Sequence, residues 1–267
     1  MLPKEQITSL AAQLQHAQQT RTPMAQLSAQ WPDLTVDEAY AISRAWGTLR
    51  HDEGRSLRGY KIAMTSRATQ AMYGASEPAI GWLYDDMVFD NGSSLPADRF
   101  IAANVELELA FIIGKPLQGP RVTAFDVLAA TDCIVPSFEI VDARVQQLHP
   151  QTKAPRTLVD LVSDNSVAAG AMLGGHPTRP TELNLPWVGA MLYKNGAIED
   201  TGLAATVMSH PAKSVAWLAN RLSQWGEKLE PGQIVLSGTL IRPVPVRAGD
   251  VMQGDFGPLG QVAWRLV

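Results

Sequence analysis

The stretch 104-NVELELAFII-113 sets the main constraint on the fold. Successive side chains of a β-strand alternate between two faces, so Glu106 and Glu108 would share a face with Ala110 and Ile112. The apolar end of that face indicates that other parts of the chain cover it. Two neighbouring carboxylates in a covered place repel each other and lose hydration, so they require a compensating charge. The stretch therefore predicts a buried strand that carries an anionic site.

The composition is that of an ordinary globular protein. The chain has 267 residues, of which 46% are hydrophobic and 18% charged, and its formal net charge is -4. This charge, without any block of basic residues, argues against nucleic-acid binding. No run of about 18 apolar residues occurs, so we expect no membrane span. The N-terminus lacks the apolar core of a signal peptide, and the single cysteine excludes an intramolecular disulfide, so we expect a cytoplasmic protein.

Two kinds of pattern divide the chain. Residues 1–57 are predicted to form an N-terminal helical segment, with a capping box at Thr35–Glu38. Residues 58–267 contain short strand-like runs separated by turns, including the hairpin signal Asn195-Gly196. Regular βα alternation and a glycine-rich phosphate motif are both missing, which argues against a doubly wound nucleotide-binding fold. The pattern predicts an α+β protein whose strand-rich domain follows a helical segment.

A third carboxylate stands in an apolar run. Glu139 lies between Phe138 and Ile140 in CIVPSFEIVD. Taken alone, such a glutamate is as often a solvated edge residue as a ligand. Together with Glu106 and Glu108 it forms a set of three carboxylates without His or Cys nearby, which suits a hard cation such as Mg²⁺ or Mn²⁺. Zinc usually requires His or Cys ligands.

Lys61 is the third unusual feature, because it lies in the strand-like run RGYKIAMTS. On this motif alone, the commoner interpretation is a surface lysine whose aliphatic stem covers apolar area. Beside a buried anionic site, a lysine would instead stabilise an enolate or transfer a proton. The residues alone leave both interpretations open.

The ordered set GYKIAMTS, WLYDDM, VELELAFII, SFEIVDAR, SDNS and VLSGT resembles the 2-oxopent-4-enoate hydratase and 4-oxalocrotonate decarboxylase family, within the fumarylacetoacetase-like superfamily. The resemblance spans nearly the whole chain. It implies an α+β fold, a mixed β-roll with an N-terminal helical segment, and a metal-binding catalytic domain over residues 58–267. It also implies a homo-oligomer that uses Mg²⁺, with Mn²⁺ as the alternative, and acts on a small 2-oxo acid.

The same resemblance implies a role for each matched residue. The metal ligands would be Glu106, Glu108 and Glu139, and the catalytic residues Lys61 and Asp86. The segment before SDNS is longer than in relatives that act on five-carbon monoacids, and its position between the Glu139 strand and SDNS suits Arg156 to a second substrate carboxylate. An ordinary surface loop with solvated charges is the slightly commoner interpretation of this segment. The residues expected to bind substrate are Asp164, Asn165, Ser237, Thr239 and Arg156.

The implied reaction is the addition of water to a 2-hydroxy-2,4-dienoate diacid or its 2-oxo tautomer. The branch of the family that the chain most resembles hydrates 2-oxo-hept-4-ene-1,7-dioate to 4-hydroxy-2-oxoheptanedioate. That step belongs to 4-hydroxyphenylacetate degradation through homoprotocatechuate.

A 4-oxalocrotonate-type decarboxylase, a 2-oxopent-4-enoate hydratase and a non-catalytic partner subunit remain alternatives. A C–C bond hydrolase is less expected, since no histidine lies in the matched motifs. The general acid stays open, because the chain departs from the family pattern at Ala79 and Asn104.

Overall fold

The computed structural model describes residues 2–267. Within that range, no helix combines the length and the apolar character that crossing a membrane requires. The α-helices are α1 (Lys4–Thr20), α2 (Leu27–Gln30), α3 (Val36–Asp52), α4 (Arg67–Tyr73), α5 (Ala124–Ala130), α6 (Leu158–Ser163) and α7 (Pro211–Leu222). The strands are β1 (Leu57–Ala63), β2 (Ala79–Tyr84), β3 (Val88–Asp90), β4 (Ser94–Leu95), β5 (Asn104–Ile113), β6 (Thr131–Val141), β7 (Ala168–Leu173), β8 (Gly189–Lys194), β9 (Ala197–Leu203), β10 (Ile234–Thr239), β11 (Val244–Pro245), β12 (Val251–Asp255) and β13 (Gln261–Leu266).

Helices α1 and α3 pack together at the N-terminal end of the chain. The predicted capping box is present, because Thr35 accepts a hydrogen bond from the Glu38 backbone and the Glu38 side chain accepts one from the Thr35 backbone. Leu14 of α1 and Trp46 of α3 are buried. The Trp46 indole N–H also donates to the Gln15 side chain at 2.8 Å, so one polar contact joins the two helices inside their apolar interface.

The larger sheet has eight strands in the order β2-β1-β10-β5-β6-β7-β3, with β11 paired to β5. Strands β5 and β6 are long antiparallel neighbours near its centre, and their register places Glu106 opposite Glu139. The sheet curls strongly, because β2 and β7 are far apart in this order yet approach each other. A Cβ atom added to Gly81 of β2 would lie 3.2 Å from the Cβ atom of Ala168 on β7.

The smaller sheet has five strands in the order β4-β13-β12-β8-β9. The predicted Asn195-Gly196 turn joins β8 to β9, and both residues have positive φ angles, 54° and 82°. Two residues with positive φ match the twist of a tight hairpin. The sheets meet through side chains such as Phe138 and Trp264, whose ring centroids are 6.3 Å apart.

Several expectations from the sequence are confirmed. Residues 104–113 form β5 with the predicted bounds, and the fold is α+β with a curled sheet. Both faces of β5 are covered, as predicted, because eight of its ten residues are buried. The division at residues 1–57 and 58–267 stays a proposal.

Candidate metal centre

Three glutamates converge on one face of the larger sheet. Glu106 and Glu108 come from β5, and Glu139 comes from the neighbouring β6. Carboxylate oxygens from the three residues lie within 4.8 Å of one another. Their exposed fractions are 8%, 1% and 0% respectively. The two-residue period of the strand puts Glu106 and Glu108 on one face, as the sequence pattern predicted, and the antiparallel register adds Glu139.

Burial makes this arrangement electrostatically demanding. It raises the pKa of Glu106 to about 8, assisted by the charge of Glu139 and opposed by Lys61. Burial also raises the pKa of Glu108 well above its ordinary value, with Glu139 and Glu106 adding to the effect. Without a further positive charge, these carboxyl groups favour their protonated forms at neutral pH.

Lys61 supplies one positive charge. Its Nζ lies 2.9 Å from Glu139 Oε1, and the side chains are 3% and 0% exposed. Burial alone would lower the pKa of Lys61, but the charges of Glu139, Glu106 and Glu108 together raise it. The surface-lysine interpretation is therefore excluded by the structure.

The three glutamates fit a divalent cation. Both carboxylate oxygens of Glu139 are buried, and within residues 2–267 the positively charged group beside them is the Lys61 ammonium, 2.9 Å from Oε1. One lysine opposes three carboxylates, so full ionisation leaves two negative charges unbalanced, which is what a divalent cation neutralises. An all-oxygen donor set suits a hard cation of the Mg²⁺, Mn²⁺ or Ca²⁺ type.

The turn after β10 holds Glu108 in place. The backbone N–H of Gly238 donates to Glu108 Oε2 at 2.7 Å. Gly238 has a φ of +123°, and a Cβ atom there would collide with the Thr65 side chain. Only glycine meets both demands, so this residue orients a carboxylate of the triad.

Comparisons with known proteins identify the family of the chain that carries this centre. Residues 61–267 match the model of the fumarylacetoacetate (FAA) hydrolase C-terminal family.

The chain belongs to the fumarylacetoacetate hydrolase family.

Full-length relatives of this FAA hydrolase family member include a hydratase and a decarboxylase. It is 47% identical over 267 residues to the 2-oxo-hept-4-ene-1,7-dioate hydratase of Escherichia coli, covering 100% of both chains. It is 30% identical over 268 residues to the 4-oxalocrotonate decarboxylase of Pseudomonas sp. (strain CF600), covering 100% of this chain and 98% of the relative. The solved 4-oxalocrotonate decarboxylase from Pseudomonas putida G7, complexed with magnesium and adipate, superposes with a TM-score of 0.94 at 28% identity and covers 100% of this chain and 99% of that one. The expected family resemblance is confirmed.

Two residues of the LSGT motif differ in how their hydroxyl groups are used. The Ser237 hydroxyl is buried and has no hydrogen-bond partner within residues 2–267. The Thr239 hydroxyl donates to the Ile241 carbonyl at 2.6 Å and accepts from the Ile241 N–H at 3.2 Å. In this family member, the Ser237 hydroxyl is thus unpaired within residues 2–267 whereas that of Thr239 is used locally, and the binding roles of both residues stay predictions.

The SDNS motif closes the gap between β2 and β7. Asn165 accepts from the Trp82 N–H at 2.7 Å and donates to the Trp82 carbonyl at 3.0 Å. Asn165, Ser166 and Val167 have φ values of 52°, 46° and 57°, an unusual run for residues with a Cβ atom. Their side chains and backbone thus complete the curled sheet beside Gly81, and substrate binding by Asn165 stays a prediction.

Asp164 lies beneath this turn in a buried ion pair. Its carboxylate accepts from the Arg144 N–H at 2.7 Å and lies 3.3 Å from Arg144 Nε. Burial raises the pKa of Asp164 to about 6, against the opposing charges of Arg144 and Arg156. Nη1 of Arg156 is itself buried without a hydrogen-bond partner in the described chain. The substrate-binding roles expected for Asp164 and Arg156 are not decided by these contacts.

Asp86 lies in different surroundings from the triad. Its carboxylate is 2.5 Å from Arg50 Nη2, and it also approaches Arg55 and Arg99. Within residues 2–267, no ion pair joins it to Lys61. A catalytic role for Asp86 therefore remains only a prediction from the motif.

Sequence reasoning missed the glycines that shape the site. A Cβ atom on Gly81 would lie 2.8 Å from Lys61 Cγ and 2.7 Å from the Asn165 carbonyl oxygen. Gly81 therefore leaves the space through which the lysine stem passes. The only signal was a glycine inside a strand-like run, which often marks a close backbone approach.

Proposed function

We propose that this chain is a divalent-metal-dependent hydratase that converts 2-oxo-hept-4-ene-1,7-dioate into 4-hydroxy-2-oxoheptanedioate. The observation that carries the proposal is the buried triad of glutamates with the Lys61 ammonium 2.9 Å from Glu139. The full-length identity of 47% to the Escherichia coli hydratase supports the choice of substrate.

The triad defines where the substrate binds. Glu106, Glu108 and Glu139 would hold Mg²⁺, or Mn²⁺ as the alternative. When bound, the ion supplies a Lewis acid for the end of the substrate that carries the carboxylate and the 2-oxo group. The buried carboxylates fix that position, and the curled sheet around them limits access of bulk water.

Lys61 has the position required for charge stabilisation. Its ammonium group donates hydrogen bonds only, so it favours negative charge on an oxygen brought to the triad. In the proposed reaction, negative charge develops on the C2 oxygen whenever the substrate is an enolate. We assign Lys61 to this oxygen and to proton transfer beside it.

The proposed reaction consumes one water molecule. The dienol loses its C2 hydroxyl proton, takes a proton at C5 and becomes a 2-oxo acid with a C3–C4 double bond. The water oxygen then bonds to C4, the water proton is released, and a proton returns to C3. Water has been added across the original C4–C5 double bond, with no other co-reactant.

A decarboxylase is the second candidate, and a specific observation favours it. The backbone superposes on a 4-oxalocrotonate decarboxylase with a TM-score of 0.94. A decarboxylase would use the same 2-oxo acid position but would release CO₂ from the substrate. A 2-oxopent-4-enoate hydratase and a non-catalytic partner subunit are the remaining alternatives.

One assay separates these functions. Purified protein with Mg²⁺ is mixed with the dienol diacid, ultraviolet absorbance of the dienol is followed, and the product is identified by mass spectrometry. The hydratase proposal predicts loss of absorbance and a product heavier by one water. Loss of CO₂ would establish the decarboxylase, and no turnover by the protein alone would favour the partner subunit.

The cellular setting forms part of the same proposal. We place the enzyme in 4-hydroxyphenylacetate degradation through homoprotocatechuate, in the cytoplasm, as a homo-oligomer. The ordered motif set and the 47% identity support this placement. Light scattering coupled to gel filtration measures the oligomeric state.

A further inference from the structure

A second concave feature lies where the N-terminal helices meet the larger sheet. It is a cavity of about 400 Å³ bordered by α1, α3, the turn after β2, the loop before β5 and the end of β6. None of the three triad glutamates lines it. Its distinctive property is the set of arginines around it, which are Arg21, Arg50, Arg55, Arg99 and Arg144.

The acidic side chains of the cavity do not balance these arginines. Glu53, Asp86 and Asp142 are the only carboxylates among its lining residues, and Arg144 is already paired with the buried Asp164, so one positive charge remains in excess. Asp142 is already used by backbone groups, because it accepts from the N–H groups of Ile101 and Ala102 at 2.7 and 2.8 Å. Glu53 pairs with Arg50 at 2.9 Å. The cavity therefore carries a net positive charge.

Three arginines converge on a single carboxylate. Asp86 Oδ2 lies 2.5 Å from Arg50 Nη2, 3.8 Å from Arg55 Nε and 3.9 Å from Arg99 Nη2. Burial lowers the pKa of Arg99, as do the positive charges of Arg50 and Arg55, while Asp86 opposes them. Further negative charge at this place would relieve the repulsion among the three guanidinium groups.

The arginines differ in how firmly they are held. Arg50 is 4% exposed, and its guanidinium carbon lies 5.6 Å from the Trp46 ring centre and 5.7 Å from that of Tyr84. The side chains of Arg55 and Arg99 are 44% and 35% exposed, and their Asp86 contacts are long. Arg50 is therefore held firmly, whereas the guanidinium groups of Arg55 and Arg99 are accessible. Their N–H groups remain available to donate hydrogen bonds to a ligand.

We propose that this arginine pocket binds a small dicarboxylate, at a site separate from the metal triad. Guanidinium groups match carboxylates through paired, charge-assisted hydrogen bonds. The arginines enter from separate segments around the cavity, which suits a ligand charged at both ends, and the volume lies in the range of roughly 300–1,000 Å³ typical of small-molecule sites. In this pocket the Asp86 carboxylate orients the guanidinium groups of Arg50, Arg55 and Arg99.

The test measures binding of adipate by calorimetry to the full chain after metal removal with EDTA. The measurement follows binding to the metal-free protein and requires no turnover. Its result is therefore independent of the hydratase proposal. We expect saturable binding of one adipate per chain, and Arg55→Ala and Arg99→Ala should each weaken it about tenfold or more, as loss of one charge-assisted bond predicts. Arg179→Ala is the matched control, because this exposed arginine lies outside the cavity and should leave binding unchanged.

Several results would overturn the proposal. These are no saturable binding to the metal-free wild type, unchanged affinity in both arginine variants, and binding that requires added Mg²⁺. Inorganic phosphate that binds as tightly as adipate would refute the dicarboxylate assignment. Arg99 also donates to the Asp86 carbonyl, so melting temperatures are compared, and Arg55→Ala decides the outcome if Arg99→Ala is unstable.

Discussion

Lys61 Nζ lies 2.9 Å from Glu139 Oε1, and both side chains are almost fully buried. Within residues 2–267, no other cationic side chain forms an ion pair with Glu106, Glu108 or Glu139. The lysine therefore neutralises part of the triad's charge and also presents its ammonium group to whatever binds there. These two roles are separable by experiment, because one affects metal binding and the other affects turnover.

Replacing Lys61 by alanine should lower kcat by roughly a hundredfold or more, the scale of losing a positioned acid–base group. Metal binding should persist, since all three carboxylates remain. Steady-state assays at saturating Mg²⁺ give kcat, and calorimetric titration gives metal affinity. The exposed Lys115→Ala is the control and should behave as wild type. An unchanged kcat in Lys61→Ala would remove the lysine from the mechanism.

Gly81→Ala tests whether the path of the lysine stem matters. The new methyl group would overlap Lys61 Cγ, which would lie 2.8 Å away, so the ammonium group must shift. We expect kcat to fall by about tenfold or more, while the affinity for Mg²⁺ changes little. Gly174→Ala is a control of similar crowding, because its new Cβ would lie 2.7 Å from Val262 Cβ, away from Lys61. Equal losses of kcat in both variants would indicate general overpacking.

Stability of the metal-free protein should fall as pH rises. The pKa of Glu106 is about 8 in the fold against an ordinary 4.5, so the folded state binds this proton more tightly than the unfolded state. Stability from this group is complete below the ordinary pKa and is lost as pH rises through the folded value. Glu108 acts in the same direction.

Thermal unfolding in EDTA measures this effect between about pH 6.5 and 8.5, a window above the raised pKa of Asp164. The melting temperature should decrease across it, and the stabilisation by Mg²⁺ should grow. Glu106→Gln cannot titrate and should show a shallower decrease. A wild-type melting temperature that rises over this range would contradict the assigned pKa direction.

Arg156 is the residue we predict to bind the second carboxylate of the substrate. Its Nη1 is buried without a hydrogen-bond partner in the described chain. Arg156→Ala should lower kcat/KM for the diacid by roughly one to two orders of magnitude, the effect of losing a charge-assisted bond. Activity on a five-carbon monoacid should barely change. Equal losses on both substrates would mean that Arg156 is structural.

Much of the site could be predicted because its signals are local. The two-residue period of β5 and the apolar neighbours of Glu139 are visible in short stretches. They sufficed to predict two carboxylates on one covered face and to single out the third. Capping residues and the Asn195-Gly196 turn are equally local, so the helix start and the hairpin were also found.

The remaining features depend on contacts between distant segments. Nothing near Gly81 in the sequence shows that Lys61 passes over it, or that Asn165 pairs with the backbone of Trp82. The surroundings of Asp86 were hidden for the same reason, since its arginine partners come from separate parts of the chain. Motif resemblance predicts a catalytic role for Asp86, which stays a prediction, and packing shows that its carboxylate lies against Arg50, Arg55 and Arg99.

We propose that hydration requires a divalent cation held by Glu106, Glu108 and Glu139. The most direct measurement is the rate of dienol loss by protein stripped with EDTA, before and after adding back Mg²⁺, for the wild type and for Glu139→Gln. We predict negligible activity in the stripped wild type, recovery on addition of Mg²⁺, and little recovery in Glu139→Gln. Full activity in the stripped wild-type protein would show that hydration does not require the cation.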